Sequence, residues 1–339
     1  MGKNITNIAL FGLGRIGQMH AENLIKHKKF KLKYIYDIDK KAVRKLAKSY
    51  KCIGLTNPKI AFKDKLLDAI FIATSTSTHL KFLIEAVKSK KIVFCEKPLD
   101  LNLIKINKCK SIIKKFNPKI QLGFNRRYDP NHNGIKKQLI KGKIGRLEKI
   151  IITSRDPAPP TLKYLKNSGG IFKDMMIHDF DLARFYLDEK DEFDSIFATG
   201  SKMYDKTFKK LKDFELATCI LKSKKGIQCI ITNSRHCSFG YDQRVELFGT
   251  KGMLISGNRK ENDIELHNSK STNNKSLLMN FFVQRYFEAY KNQLDDLSKM
   301  KGGKFRPLAG FDEGRISILI AEKAILSAKS KKFEKINLK

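Results

Sequence analysis

The first 123 residues alternate short apolar runs with amphipathic segments, and this alternation constrains the fold more than any other feature of the chain. Five runs have the length and composition of buried strands: 8–11, 32–36, 69–73, 92–95 and 120–123. Apolar stripes with helical spacing lie between them, and Asp39 can cap the helix that follows the second run. Repeated strand–helix–strand units predict a doubly wound parallel sheet.

The pattern changes near Asn125, where strands begin to follow one another with few helices between them. Six further strands are predicted at 147–155, 193–200, 214–222, 226–234, 243–249 and 253–256. Glycine-containing turns separate several neighbours as in hairpins, which predicts a mostly antiparallel open sheet. Helices are predicted at 131–141, 174–187, 281–300 and 312–328. With 339 residues, the chain suffices for two α/β domains, 1–124 and 125–339.

A glycine-rich turn joins the first strand to the first helix and consists of Gly12, Leu13, Gly14, Arg15, Ile16 and Gly17. Asp37, at the end of the second strand, lies 23 residues beyond Gly14. Glycines there let the backbone approach a pyrophosphate, and the acid can accept hydrogen bonds from ribose hydroxyls. The spacing therefore predicts a dinucleotide-binding (Rossmann) domain that favours NAD over NADP, although Arg15 and two lysines at 40 and 41 could soften that preference. The alternative is a tight turn that binds no nucleotide.

Two more loops follow predicted parallel strands, where ligands bind in such sheets. Thr74 and Ser75 begin a hydroxyl-rich loop, and His79 follows at the start of a helix, where a structural role is the more common one. The run Glu96-Lys97-Pro98 ends another strand, and a cis proline would aim the lysine. An ammonium group can hold a hydroxyl and stabilise negative charge on its oxygen. An exposed lysine without function is the alternative.

Asp174 and His178 are four residues apart, just after the pair Gly169-Gly170. If the segment is helical, both side chains project from one face. Such a pair can take a proton from a substrate hydroxyl, and histidine is suited to this near neutral pH. The alternative is an acidic helix start with an ordinary histidine, but Asp179 and Asp181 make the cluster more polar than a core needs.

The formal net charge of +35 raises the question of whether the protein binds a nucleic acid. Of the 69 basic residues only 13 are arginines, and the lysines are scattered in short groups along the chain. A nucleic-acid surface would more often concentrate charge and use arginine forks. We therefore interpret the lysines mainly as solvated faces and expect no nucleic-acid partner.

The six cysteines form no CxxC pair and accompany no histidine cluster, so we expect reduced, buried thiols rather than disulfides or a metal site. No apolar run approaches the roughly 18 residues that span a bilayer. The first residues lack a signal-peptide pattern. A cytoplasmic protein without a membrane partner is the expectation.

Four motifs in order resemble one known family: 12–17, 95–99, 121–129 and 169–181. The chain resembles the glucose–fructose oxidoreductase / inositol 2-dehydrogenase family of NAD(P)-dependent oxidoreductases over nearly its whole length. Within it, segments 154–160 and 241–246 look most like the branch that oxidises myo-inositol. The absence of tryptophan means that any tryptophan contact of a family member is missing here.

The resemblance implies a Rossmann domain joined to an α/β domain whose open sheet often supports tetramers. It implies a catalytic set of Lys97, Asp174 and His178. The glycine turn and Asp37 would carry the cofactor. Further candidates, from their positions after neighbouring strands, are Thr74, Ser75, His79, Glu96 and Lys97. The polyol would contact the catalytic set together with Asn125, Arg126, Asp156 and Tyr241.

These observations predict NAD-dependent oxidation of a cyclic polyol, myo-inositol to 2-keto-myo-inositol, with His178 as the general base. Another inositol isomer, a sugar such as glucose or xylose, or a keto-polyol reduced in reverse would use the same residues. A non-catalytic basic binding protein is the alternative from a different class. The retained set of Lys97, Asp174 and His178 argues against it.

Overall fold

The structure is a computed structural model that describes residues 5–203, 206–211, 213–303 and 305–338. Within these ranges, no helix is both long enough and apolar enough to cross a membrane.

Fifteen strands are found in the described residues: β1 Thr6–Phe11, β2 Phe30–Tyr36, β3 Ile53–Leu55, β4 Ala69–Ile72, β5 Ile92–Cys95, β6 Ile120–Leu122, β7 Leu147–Arg155, β8 Phe193–Ser201, β9 Leu216–Ser223, β10 Gln228–Ser234, β11 Asp242–Gly249, β12 Gly252–Ser256, β13 Glu265–Leu266, β14 Asn274–Lys275 and β15 Glu334–Lys335. The helices of the same ranges are α1 Arg15–Lys26, α2 Lys40–Tyr50, α3 Lys59–Lys63, α4 Thr76–Lys88, α5 Leu103–Ile113, α6 Pro130–Ile140, α7 Leu162–Ser168, α8 Gly170–Asp174, α9 Ile177–Tyr186, α10 Lys206–Leu211, α11 Phe282–Arg285, α12 Phe287–Lys299 and α13 Phe311–Ser330. Short 3₁₀ helices span Lys114–Phe116, Asn125–Tyr128 and Met300–Gly302.

The first sheet has the strand order β3-β2-β1-β4-β5-β6, and each neighbouring pair described runs parallel. Its central strands are apolar on both faces because helices cover both sides; each residue of β4 and β5 is buried. The rings of Phe71 and Phe94 stack in this core with centroids 3.9 Å apart. The predicted doubly wound sheet is confirmed. The short edge strand β3 was not predicted, since two of its three residues are exposed.

The second sheet has the order β12-β11-β7-β10-β9-β8-β15 in the described residues. The pair β7–β10 is parallel, and the other pairs are antiparallel, so the prediction of a mostly antiparallel open sheet is confirmed. Helix α9 packs on β7. The late helix predicted over 281–300 is interrupted at Tyr286, between α11 and α12.

The chain divides into two compact units. The first unit comprises Met1–Tyr128 and Glu288–Ile316, and the second comprises Asp129–Phe287 and Ser317–Lys339. The predicted boundary after residue 124 assigned the whole remaining chain to the second domain, whereas Glu288–Ile316 belongs to the first unit. Leu294, Leu297 and Met300 of that segment are buried in the core of the first sheet, far from it in sequence. The local hydrophobic pattern of the first strands and helices does not indicate that a segment so distant in sequence completes their core.

Candidate active site

The glycine turn between β1 and α1 has the shape that a dinucleotide needs. Gly12 has a φ of +97°, and a Cβ at this position would overlap the carbonyl oxygen of Ala73. A Cβ on Gly17 would overlap the carbonyl oxygen of Gly12. At Gly14, by contrast, no described atom lies within 4 Å of the Cβ position, which leaves space for a phosphate to approach the backbone. Gly14 is also the N-cap of α1, whose first amides suit a pyrophosphate.

Asp37 lies beside this turn at the end of β2. Its Oδ2 accepts a hydrogen bond from the main-chain N–H of Leu13 at 2.6 Å, and its Oδ1 accepts one from Asp39 at 3.0 Å. The carboxylate is therefore fixed next to the glycines. Ribose hydroxyls can donate to its remaining lone pairs, whereas a 2′-phosphate would be repelled. The residues in place fit NAD.

The loop after β4 lies against the glycine turn, because the Cβ position of Gly12 is 2.6 Å from the nitrogen of Thr74. Thr74 and Thr78 share a hydrogen bond of 2.7 Å between their hydroxyl oxygens, and Ser75 is the N-cap of α4. His79 is buried, with Nδ1 2.8 Å from the Pro98 carbonyl oxygen and Nε2 3.0 Å from that of Thr74. Burial lowers the pKa of His79, although both carbonyls oppose this shift. His79 thus connects the loops after β4 and β5.

Lys97 follows β5 in a turn that the side chain of Glu96 supports. The Lys97–Pro98 peptide bond is cis. Glu96 Oε2 accepts a hydrogen bond from the main-chain N–H of Lys97 at 3.1 Å, and its Oε1 lies 2.7 Å from Nε2 of His20 on α1. A Cβ on Gly123 would lie 2.6 Å from Glu96 Oε2, so the loop after β6 packs against the same carboxylate. The sequence predicted that Glu96 contacts the cofactor. In the structure its side chain stabilises this turn.

Asn125 and Arg126 lie just after β6 in the 3₁₀ helix Asn125–Tyr128, and each is 4% exposed. The main-chain N–H of Gly123 donates to the carbonyl oxygen of Cys95 at 2.8 Å, which joins the ends of β5 and β6. Lys97, Asn125 and Arg126 therefore belong to the first unit and follow neighbouring parallel strands.

The second unit places three polar side chains at one end of its sheet. β7 and β10 run parallel with Arg155 opposite Ser234, so Asp156 and Arg235 follow them at the same end. Tyr241 directly precedes β11, which starts opposite Arg155. The main-chain N–H of Asp156 donates to the carbonyl oxygen of Ser234 at 2.9 Å. The predicted polyol residues Asp156 and Tyr241 are thus brought together.

Asp174 and His178 lie on two helices, so the prediction of one continuous helix is wrong. α8 ends at Asp174, and a turn of Met175 and Met176 precedes α9. The N–H groups of both methionines donate to the carbonyl oxygen of Ile171, and the N–H of His178 donates to that of Met175. Both methionines are buried, at 5% and 0% exposure. Packing of this turn therefore overrides the helical spacing.

Asp174 is buried and held from two sides. Its Oδ1 accepts a hydrogen bond from the hydroxyl of Tyr164 at 2.6 Å, and its Oδ2 accepts one from Nη1 of Arg235 at 2.9 Å. At the start of α9, Asp179 accepts from the Ser154 hydroxyl at 2.7 Å and from Nδ2 of Asn233 at 2.8 Å. These bonds fix Asp174 and the helix that carries His178.

Sequence reasoning missed Arg235 and Tyr164. A signal existed for Arg235, since it directly follows a predicted strand, as Asp156 does. Tyr164 lies on α7, which was not predicted, and nothing in its local pattern separates it from a surface residue.

The structure also describes the cysteines and possible metal ligands. All six cysteines are free; five are buried and Cys52 is half-buried. In the described ranges, no group of three or more His, Cys, Asp or Glu side chains could hold a metal ion.

Two family models match the chain. One, described as an oxidoreductase family with an NAD-binding Rossmann fold, matches residues 6–124. The other, the GFO/IDH/MocA C-terminal domain, matches residues 132–255.

Known relatives agree with these matches. A myo-inositol 2-dehydrogenase of Thermotoga maritima is 38% identical, and the match covers 97% of this chain and 99% of that protein. The crystal structure of a myo-inositol dehydrogenase from Corynebacterium glutamicum has a TM-score of 0.94 and 36% identity, covering 98% of this chain and 99% of that one. A scyllo-inositol dehydrogenase from Lactobacillus casei, crystallised with bound NAD(H) and scyllo-inositol, has a TM-score of 0.90 and 25% identity, covering 98% and 99%. The chain therefore belongs to the GFO/IDH/MocA family of oxidoreductases with an NAD-binding Rossmann fold, as its motifs predicted.

Proposed function

We propose that the protein oxidises a cyclic polyol with NAD and that its preferred reaction converts myo-inositol to 2-keto-myo-inositol (scyllo-inosose). One observation carries the proposal. The chain is 38% identical, over 97% of its length, to a myo-inositol 2-dehydrogenase, and Lys97, Asp174 and His178 stand in its family motifs. The fixed carboxylate of Asp174 and the fit of the glycine turn to NAD support it.

The chemistry divides among three side chains. Neutral His178 takes the proton of the reacting hydroxyl while the hydride leaves the same carbon, so the C–O bond becomes a carbonyl. The ammonium group of Lys97 donates to that oxygen and stabilises its developing negative charge. Asp174 accepts a hydrogen bond from a neighbouring hydroxyl or orients the imidazole. When bound, NAD supplies the hydride acceptor.

A substrate panel tests the proposal. The purified protein is mixed with NAD and myo-inositol, scyllo-inositol, other inositol isomers, glucose or xylose, and reduced nicotinamide is followed by its near-ultraviolet absorbance. We expect the highest kcat/KM with myo-inositol and a ketone product that NMR identifies. The reverse reaction, from the keto-polyol and NADH, measures the preferred direction. A protein that binds NAD but reduces it with none of these polyols would contradict the proposal.

The second candidate substrate is scyllo-inositol. The observation that favours it is the fold match to a scyllo-inositol dehydrogenase with that ligand bound, at a TM-score of 0.90. The two isomers differ only in the orientation of one hydroxyl, so the panel separates them through the ratio of their kcat/KM values.

We also infer a homotetramer that uses the open face of the second sheet. On this face, one row of paired residues crosses the sheet and is largely apolar: Phe197, Ile220, Ile230, Ile151, Glu246 and Ile255. Ile220 is 41% exposed and Ile255 is 59% exposed. The row is half-buried to exposed along its length, and apolar surface of this kind marks an interaction site.

A cytoplasmic role in inositol catabolism completes the proposal. The free cysteines support it, because reduced thiols persist in a reducing compartment. The scattered lysines support a small-molecule partner rather than a nucleic acid.

A further inference from the structure

Arg235 is a buried cation to which the proposed mechanism gives no role of its own. It follows β10 directly, at the end of the sheet where Asp156 and Tyr241 also lie. Its side chain is 1% exposed, and its Nη1 donates to Oδ2 of Asp174 at 2.9 Å. A buried guanidinium needs a paired charge. Here that partner is a carboxylate of the proposed acid–base site.

Three carboxylates act on this guanidinium. Burial alone would lower the pKa of Arg235, but the charges of Asp174, Asp156 and Asp213 and the hydrogen bond with Asp174 raise it above its usual value. The cation is therefore permanent. Asp213 accepts a hydrogen bond from the N–H of Ile171 at 3.0 Å, at the start of α8. The same cation thus interacts with carboxylates at both ends of α8.

The two bonds to Asp174 fix its carboxylate plane. The hydroxyl of Tyr164 on α7 donates to one oxygen and Arg235 donates to the other. Rotation of the carboxylate would break one of them. Tyr164 donates without a charge, so the opposite charge that favours the ionised carboxylate comes from Arg235.

A second buried arginine in the same unit offers a comparison. Arg285, also 1% exposed, donates with both Nη atoms to Asp129. For Arg235, both Nε and the buried Nη2 lack a hydrogen-bond partner among the described residues, whereas for Arg285 only Nε lacks one. An unfilled buried donor costs stability. Stability alone therefore explains Arg285 better than it explains Arg235.

We propose that Arg235 is a positioning residue for the oxidation proposed above: it fixes the plane and the negative charge of the Asp174 carboxylate. The inference rests on the proposed function, because the state of Asp174 affects turnover only if the protein performs that reaction. In this role Arg235 acts through Asp174 and touches no reacting atom. His178 on α9 and the substrate then meet an ionised acceptor in a constant place.

Two substitutions at Arg235 test this role in rate measurements from about pH 5 to about pH 9. Arg235→Gln should lower kcat on the order of 10²-fold, with a smaller change in KM. Its activity should also begin to fall at a pH higher by about one unit or more, because removal of a buried positive charge raises the pKa of the acid–base pair of Asp174 and His178, which must be free of these protons for turnover. Arg235→Lys should restore the acid limb and part of kcat, since an ammonium keeps the charge but not the planar fork.

Arg285→Gln is the matched control, since it breaks an equally buried ion pair in the same unit. We expect it to lower the melting temperature without moving the acid limb. If Arg235→Gln does not fold, Tyr164→Phe at a half-exposed position tests the other bond to Asp174 and should lower kcat.

Equal losses at every pH in both Arg235 variants would assign Arg235 to structure alone and overturn the proposal. An active wild type whose acid limb Arg235→Gln leaves in place would overturn the positioning role but not the proposed function. A wild type that reduces NAD with no polyol would overturn both.

Discussion

Three histidines show how surroundings decide the role of one residue type. His79 is 1% exposed between two carbonyl oxygens, and His20 is 2% exposed beside Glu96 and the rings of Phe71 and Phe94. His178 is half-buried at the start of α9. Of these three histidines, only His178 is both partly exposed and close in sequence to a fixed carboxylate, that of Asp174. His178 is therefore distinguished from His79 and His20 by its exposure and its position in the chain, since all three are the same residue type.

His178→Ala should reduce turnover by about 10²–10⁴-fold, because a general base contributes that much to proton transfer. NAD affinity should stay at the wild-type value, since the glycine turn and Asp37 hold the cofactor. Steady-state kinetics and NAD titration by calorimetry measure both. His267→Ala, at a side chain 58% exposed, is the control. Turnover within a few fold of wild type would remove His178 from the mechanism.

Asp37→Asn should raise the ratio of kcat/KM for NADP to that for NAD. The substitution keeps an oxygen for the Leu13 amide but removes the charge that repels a 2′-phosphate. Kinetics with each cofactor measure the ratio. Asp39→Asn is the control, because Asp39 caps α2 through two amides and touches the same loop. An unchanged ratio in Asp37→Asn would show that the carboxylate does not select the cofactor.

At the scale of elements, apolar runs and turn signals predicted most strands to within a few residues. β7 and β11 match their predicted ranges closely, because one face of each is buried and the other is not. The break between α8 and α9 could not be predicted, because the turn consists of two buried methionines and methionine is a good helix former. The family motifs identified the candidate residues, and their catalytic roles stay predictions. The bonds that hold Asp174 depend on contacts between distant segments.

The loops after β4 and β5 are connected by His79, which gives a testable pH dependence. Its pKa is lowered in the folded state, so its stabilising effect is complete above the unfolded pKa of about 6.5 and is lost as pH falls below it. His79→Gln removes the titrating group and the ring contacts with the carbonyl oxygens of Thr74 and Pro98. The variant should be less stable than wild type at neutral pH, and the gap should narrow toward pH 5.

Urea unfolding at neutral and acidic pH measures this gap in the free energy of unfolding. His267→Gln, at an exposed position, is the control and should follow the wild-type curve. A gap that stays constant or widens on acidification would contradict the proposed cause.

At the scale of the whole molecule, the high positive charge and the candidate surface for oligomer formation are two distinct features. The charge of +35 arises from scattered lysines, whereas the open face of the second sheet carries an apolar row. Long-range repulsion keeps such a chain dispersed, and burial of the apolar row stabilises association. The oligomer should therefore depend on the sheet face.

Ile220→Glu should dissociate the proposed tetramer, because it places a charge in that row at a side chain 41% exposed. Light scattering coupled to size-exclusion chromatography measures the mass. Ile60→Glu, at a residue of the first unit that is 49% exposed, is the matched control and should leave the mass unchanged. A monomeric wild type, or a tetramer in both variants, would contradict the assigned surface.

The return of residues 288–316 to the first unit has a consequence for synthesis of the chain on the ribosome. The main-chain N–H of Leu122 on β6 donates to the carbonyl oxygen of Ala309 at 2.9 Å, and Leu294 and Leu297 join the core of the first sheet. These partners are translated after nearly all of the second sheet. The nascent first unit therefore keeps an uncovered edge until translation is almost complete, and a gene fragment ending at residue 128 would encode a domain without part of its core.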